Sequence, residues 1–281
     1  MAFIELNDVT YTYPLMKEPA LKNISYKFEK GKFYGVIGEN AGGKTTLCNL
    51  LRGLVPHFYK GKLKGSATIN GEDIKTIDVD KLSTQIGYIF QNPFTQISGV
   101  KKSVFEEIAI GLENLGVEKG EIIERVLKIA KLVNIESLLQ KNPNELSGGQ
   151  RQRVAFASVI AMDTDTFVID EPTSQLDPDG TEAIFEIIHT LKEQGKTIVL
   201  VEHKVDLLAE YADEMLVMNK GNLIAGGPTK EVLSDLSLLE KGAMLPHTVL
   251  FNHELKLKGV ELEHVPVTKE DCISQLKLRM K

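Results

Sequence analysis

Gly38-Glu39-Asn40-Ala41-Gly42-Gly43-Lys44-Thr45-Thr46 reads as G-x-x-x-x-G-K-[ST], the pattern of a phosphate-binding loop. An apolar run at residues 33–37 precedes it and a helix-compatible run at 46–52 follows. That is the strand–loop–helix setting the motif requires. Glycines let successive backbone N–H groups curl around a phosphate without a side-chain clash. The helix start adds partial positive charge. Lys44 is placed to reach the β- and γ-phosphates of a nucleotide, and the Thr45 hydroxyl to bind Mg²⁺.

The composition fits that reading and excludes others. With 281 residues the chain has room for one large domain and an appendage. Its net charge of −6 argues against a nucleic-acid partner. Cys48 and Cys272 are far apart in sequence and fit no metal or disulfide pattern, so each is expected to pack as a small apolar residue. Residues 1–6 lack the build of an export signal. No apolar run approaches the roughly 18 residues that span a bilayer. Any action at a membrane is expected to go through another chain.

Around the loop the chain reads as alternating elements. Residues 1–30 alternate apolar and polar positions, as antiparallel strands joined near Pro14 and Pro19. Tyr11 and Tyr13 stand just before that junction, as strand packing or as a ring to stack on a base. Asn70-Gly71 marks a hairpin turn. Residues 86–90 form a short buried strand that ends at Gln91, at the ligand-facing edge of a parallel sheet. Residues 104–140 turn helical, with Ile122, Val126, Ile129, Ala130 and Val133 at spacings of three and four.

Three further stretches carry chemistry. Ser147, in Leu146-Ser147-Gly148-Gly149-Gln150, is expected to cap a helix running to about Met162, whose first-turn N–H groups make a second anion site. Phe167-Val168-Ile169-Asp170 reads as a central parallel strand, so Asp170 is placed to hold Mg²⁺. Glu171, one residue on, is placed to take a proton from an attacking water. Residues 197–201 form another buried strand and deliver Glu202 and His203 to the same edge. A turn-rich loop through Ser174, Gln175, Leu176 and Asp177 lies between them.

Five separated motifs now stand in one order, and the chain resembles the ATP-binding cassette (ABC) ATPases over about residues 2–235. The matching elements are the phosphate loop, Gln91, the Leu-Ser-Gly-Gly-Gln stretch, the strand ending at Asp170-Glu171, and His203. The resemblance implies an α/β fold: a phosphate-loop NTPase core of ABC type, its mixed sheet joined by an N-terminal antiparallel subdomain and a helical subdomain at about 92–160. It implies ATP and Mg²⁺ as ligands, with Tyr13 on the adenine. Gly38, Asn40, Gly42, Gly43, Lys44, Thr45 and Thr46 would cradle the phosphates. A second subunit, joined head to tail, would cover them with Ser147, Gly148, Gly149 and Gln150, and Asp177 would join the nucleotide site. Thr45, Gln91 and Asp170 would serve the metal, and Glu171, His203, Gln91 and Lys44 the hydrolysis. Gly42 stands where the family usually has serine, which should loosen the loop slightly; Gln175 replaces a common alanine.

Within that family the chain is most similar to the ATPase subunits of energy-coupling factor importers, including the cobalt type. Residues 104–109 and 111–116, Tyr211-Ala212-Asp213 and Val265-Pro266-Val267-Thr268 carry the similarity. Those subunits use a C-terminal extension in dimer contact, which suits a small helical extension at residues 238–281 beyond an ATPase domain at 1–237. Thr248 and Thr268 are its candidate helix caps. The implied partners are a second ATPase subunit (identical or a sister), a transmembrane coupling protein and a small membrane protein that binds a vitamin or metal ion. The implied location is the cytoplasmic face of the cell membrane. The alternatives are the ATPase of a conventional ABC importer or exporter, and a soluble ABC protein acting on ribosomes or DNA.

Overall fold

The computed structural model describes residues 2–279, which divide into two compact units: residues 2–77 with 199–279, and Asp78–Ile198. The first unit opens with strands β1 (Ala2–Thr12) and β2 (Leu21–Glu29). Buried positions in β1 run in phase at Ile4 and Leu6, then change phase to Val9 and Tyr11. The register shifts there, and Asp8 takes a positive φ of 50°. A bulge of this kind inserts one residue and flips the side chains that follow. Tyr13 therefore continues the face that holds Tyr11.

Strand β3 (Phe33–Gly38) is buried along its whole length and feeds the phosphate loop, after which come α1 (Lys44–Leu51) and α2 (Leu54–His57). Strands β4 (Lys62–Ile69) and β5 (Glu72–Asp73) close the expected hairpin, with Asn70 and Gly71 both at positive φ. The four strands form an antiparallel sheet in the order β2-β1-β4-β5.

The second unit begins with α3 (Val79–Ser83), β6 (Ile86–Ile89) and α4 (Pro93–Gln96). Helices α5 (Val104–Asn114) and α6 (Lys119–Leu132) match the 3.6-residue pattern of the sequence. Ser103 and Glu106 form a reciprocal capping box at the start of α5, worth about 1 kcal/mol. Then come α7 (Gly148–Ile160), β7 (Thr166–Asp170) and α8 (Pro178–Glu193). Strands β6 and β7 pair in parallel, with Ile89 opposite Ile169.

Strand β8 (Thr197–Val201) leads the chain back into the first unit and is wholly buried. At its start the Thr197 N–H donates to the Asp165 carbonyl at 2.9 Å, and just past its end the Glu202 N–H donates to the Val36 carbonyl at 3.3 Å. Next are α9 (Val205–Tyr211), β9 (Glu214–Asn219) and β10 (Asn222–Pro228). Strand β9 runs parallel to β3 and antiparallel to β10, so this sheet is mixed.

Helices α10 (Thr229–Leu233), α11 (Ser237–Glu240), α12 (His247–Leu257) and α13 (Lys269–Arg279) complete the first unit. The extension buries Leu238, Leu245, Val249 and Val267. The His247 N–H donates to Asp206 at 2.8 Å, and the Lys269 N–H to Glu210 at 3.1 Å, tying α12 and α13 to α9. Thr268 accepts from the Asp271 N–H and caps α13 as expected. Thr248 does not cap α12; its hydroxyl donates to the Val267 carbonyl at 3.0 Å. Both cysteines are buried and free. Among the described residues no helix is long and apolar enough to cross a membrane.

Candidate functional site

In the first unit the phosphate loop is held by its own backbone. The Gly42 N–H donates to the Glu39 carbonyl at 3.0 Å, closing a tight turn. Gly43, the residue before α1, has φ 103°, and a Cβ there would lie 2.8 Å from the Ala20 carbonyl oxygen, so glycine is required. A Cβ on Gly42 would likewise meet the Glu39 carbonyl oxygen at 2.8 Å, so glycine suits a close-packed turn here rather than a loosened one. No side chain caps α1, which leaves its first-turn amides for an anion.

Lys44 is buried, and its Nζ donates to the carbonyls of Gly38 at 2.9 Å and Glu39 at 3.1 Å. The ammonium is thus fixed over the mouth of the loop. Thr45 is exposed, whereas Thr46 is buried and accepts from the Tyr13 hydroxyl at 3.3 Å. The Tyr13 ring is half-buried and stands edge-to-face on Tyr11 and Tyr59, at 4.8 and 5.7 Å between centroids. Burial pushes the Tyr11 hydroxyl up to about 12, helped by the neighbouring phenols. The structure therefore brings Tyr13 to the phosphate loop. His203 is held through its backbone: its N–H donates to Glu202 at 2.7 Å, and the Lys204 N–H donates to the same oxygen at 3.3 Å.

In the second unit the ends of β6 and β7 carry Gln91, Asp170 and Glu171. Asp170 is buried and accepts from the Tyr88 hydroxyl at 3.3 Å. Glu171 has φ 46°, a conformation non-glycine residues adopt at a cost. Its carboxylate accepts from the Gln91 side-chain amide at 2.8 Å. Gln96 pins the segment between β6 and α4, accepting from the Phe90 N–H and donating to the Tyr88 carbonyl.

The same unit holds the Leu-Ser-Gly-Gly-Gln stretch at the start of α7. Ser147 and Gln150 form a capping box, at 3.4 and 3.1 Å. A Cβ on Gly148 would meet nothing within 4 Å, and one on Gly149 only Leu176 at 3.8 Å. Neither glycine has a positive φ. Glycine costs about 1 kcal/mol relative to alanine inside a helix, and nothing within the chain requires it at these positions. The bare backbone here leaves room for an outside group to approach closely. These residues line a cavity of about 520 Å³ with Leu176, Asp177 and Gly180. Asp177 also caps α8 by accepting from the Gly180 N–H at 2.8 Å.

Three contributors escape the sequence reading. Tyr88 reads as strand core, yet its hydroxyl reaches Asp170. Glu202 reads from the sequence only as a neighbour of His203, yet its carboxylate accepts from the N–H groups of both His203 and Lys204. Arg151 donates to the carbonyls of Asn144 and Leu146, and its guanidinium lies 4.0 Å over the Phe94 ring. It thus links the start of α7 to α4, a contact between segments more than fifty residues apart that no local pattern signals.

Residues 21–174 match the family model described as ABC transporter. A Pyrococcus horikoshii protein, provisionally named an ABC transporter ATP-binding protein, is 39% identical over 99% of this chain and 97% of its own length. Among solved structures, cbiO1 of Clostridium perfringens is described as part of the ABC transporter complex cbiONQ. It aligns over 85% of this chain and 94% of its own, with 31% identity and a TM-score of 0.74. The ATP-binding cassette MJ0796, solved as a dimer in a post-hydrolysis state with ADP and Pi, aligns over 80% of this chain and 98% of its own. There the identity is 27% and the TM-score 0.70.

Proposed function

This chain belongs to the ABC transporter ATP-binding family, a family that hydrolyses ATP to power transport, and on that premise we propose that it drives an energy-coupling factor type importer of a vitamin or transition metal. The observation that carries the motor reading is the pair of anion sites, each incomplete alone. One is the uncapped start of α1 with Lys44 over it. The other is the start of α7, where two glycines leave the backbone bare with no reason inside the chain.

Two copies joined head to tail would close ATP between the phosphate loop of one and Ser147 to Gln150 of its partner. Tyr13 would carry the adenine. His203 would hold the γ-phosphate, and Glu171 would take the proton of the water that attacks it, its carboxylate oriented by Gln91. The described residues contain no cluster of three or more metal-ligating side chains. The donors present are hard oxygens, the Thr45 hydroxyl and the Asp170 carboxylate, with the Gln91 amide. They suit Mg²⁺ shared with substrate phosphates, not a metal caged by protein alone. When bound, Mg²⁺ neutralises charge on the β- and γ-phosphate oxygens.

The importer reading is supported by the likeness to cbiO1, which extends over 94% of that chain, and by the helical extension, which we assign to dimer contact. It implies a peripheral place on the cytoplasmic face of the membrane, beside a transmembrane coupling protein and a small substrate-capturing protein. Isolation from detergent-solubilised membranes tests it: both hydrophobic partners should come down with this chain. A pair of large transmembrane domains without the small protein would point to a conventional transporter. Recovery with ribosomes or nucleic acid alone would reject the transport reading.

A further inference from the structure

The second unit contains another cavity, of about 360 Å³, lined by none of the candidate site residues. Its floor is apolar: Ile129 and Leu132 from α6, Ile160 and Ala161 from the end of α7, Phe167 from β7 and Leu191 from α8. Its rim is cationic, with Arg125, Lys128, Lys131 and Lys196 against the single acid Asp163. A rim with that charge runs against a chain whose net charge is −6.

Two of the cations are already engaged. Lys196 pairs with Asp163 at 2.8 Å, and Arg125 with Glu121. Lys128 and Lys131 are exposed, and their ammonium groups have no ion-pair or hydrogen-bond partner among the described residues. Clustered like charges oppose folding through mutual repulsion, and the apolar floor offers their ammonium groups no partner. The same arrangement complements a ligand with an apolar body and an anionic head. The volume lies within the range of about 300–1,000 Å³ that small molecules occupy.

The site is separate from the nucleotide machinery. Helices α7 and α8 both begin at the cavity holding Ser147 and Asp177, and both end at this one. With 13 and 16 residues, at about 1.5 Å per residue, they hold the two cavities roughly 20 Å apart.

We propose that this cavity binds a small amphipathic organic anion, its apolar body on Ile160, Phe167 and Leu191 and its anionic head on Lys128 and Lys131. The ligand would touch the far ends of the two helices that frame the signature stretch. The proposal does not depend on which transporter this chain serves.

The test uses the full chain and 1-anilinonaphthalene-8-sulfonate, an aromatic body with a sulfonate, titrated by fluorescence and calorimetry. Saturable binding should weaken about tenfold or more in the double variant Lys128→Gln/Lys131→Gln. Binding of the uncharged analogue N-phenyl-1-naphthylamine should be the same in both proteins. MgATP should leave sulfonate binding to the unaltered chain unchanged. Leu132→Glu, at a half-buried position of the apolar floor, is the independent variant and should repel the sulfonate to a similar degree. Equal sulfonate affinity in the double variant or in Leu132→Glu, or displacement by MgATP, would overturn the proposal.

Discussion

The Gln91 side-chain amide donates to the Glu171 carboxylate at 2.8 Å. Register explains the meeting: β6 and β7 run parallel with Ile89 opposite Ile169, so the residues two places on arrive level. The positive φ of Glu171 turns the chain sharply at that point. A general base that is held by a neighbour needs no reorganisation when water arrives. Glu171→Gln should keep ATP binding and slow turnover by roughly 10²–10⁴. Single-turnover hydrolysis alongside nucleotide binding checks this, and near-normal turnover would remove Glu171 from the mechanism.

Gly149→Ala should separate stability from function. The space around Gly149 is open and its φ is ordinary, so alanine should leave thermal stability unchanged or raise it, by up to about 1 kcal/mol. The ATPase rate should nevertheless fall, because in the proposed head-to-tail dimer the added methyl would stand where the partner copy's nucleotide approaches. A denaturation curve and a rate measured on the same sample decide it. An unimpaired rate would mean that nothing approaches these glycines.

The extension calls for point substitutions instead of truncation, since it contributes Leu238, Leu245, Val249 and Val267 to the buried core of its unit. Phe251 on α12 is 45% exposed and Leu257 69%. The double variant Phe251→Lys/Leu257→Lys should fold normally and shift nucleotide-free protein from dimer towards monomer, read by sedimentation velocity. An unchanged dimer would remove the extension from the contact.

The residues beneath Tyr13 give a pH dependence. The fully buried Tyr11 hydroxyl donates to the Tyr59 carbonyl at 2.8 Å, and burial pushes its pKa from the ordinary 10 up to about 12. A pKa raised by folding contributes stability that is complete below pH 10 and is lost as pH rises towards 12. Tyr11→Phe should cost about 1 kcal/mol at neutral pH for the lost hydrogen bond. Its thermal midpoint should then fall less steeply than that of the unaltered chain between pH 10 and 12. Parallel slopes would contradict the assignment.

Much of this was legible in the residues. The phosphate loop stood between an apolar run and a helical one, and β7 could be read because a strand buried on both faces leaves no alternation to misread. Ser147 as a cap, and the turn at Asn70-Gly71, followed from local chemistry. What stayed hidden depends on partners distant in sequence. Thr248 has the chemistry of a cap, but the Val267 carbonyl lies within its reach and claims the hydroxyl. Arg151 could equally have faced solvent, and only the fold stacks it on Phe94. The glycines at 148 and 149 are recognisable as a motif, yet only the fold shows that no neighbour closer than 3.8 Å crowds either position.

The kink at Asp8 gives the first strand a parity. Loss of one residue there would leave Phe3, Ile4 and Leu6 inside but turn Val9 and Tyr11, both fully buried, to the other face. Tyr13, which continues the face of Tyr11, would turn with them, away from its contact with Thr46 in the phosphate loop. That single surplus residue therefore guards the packing of the sheet and the placing of Tyr13 together.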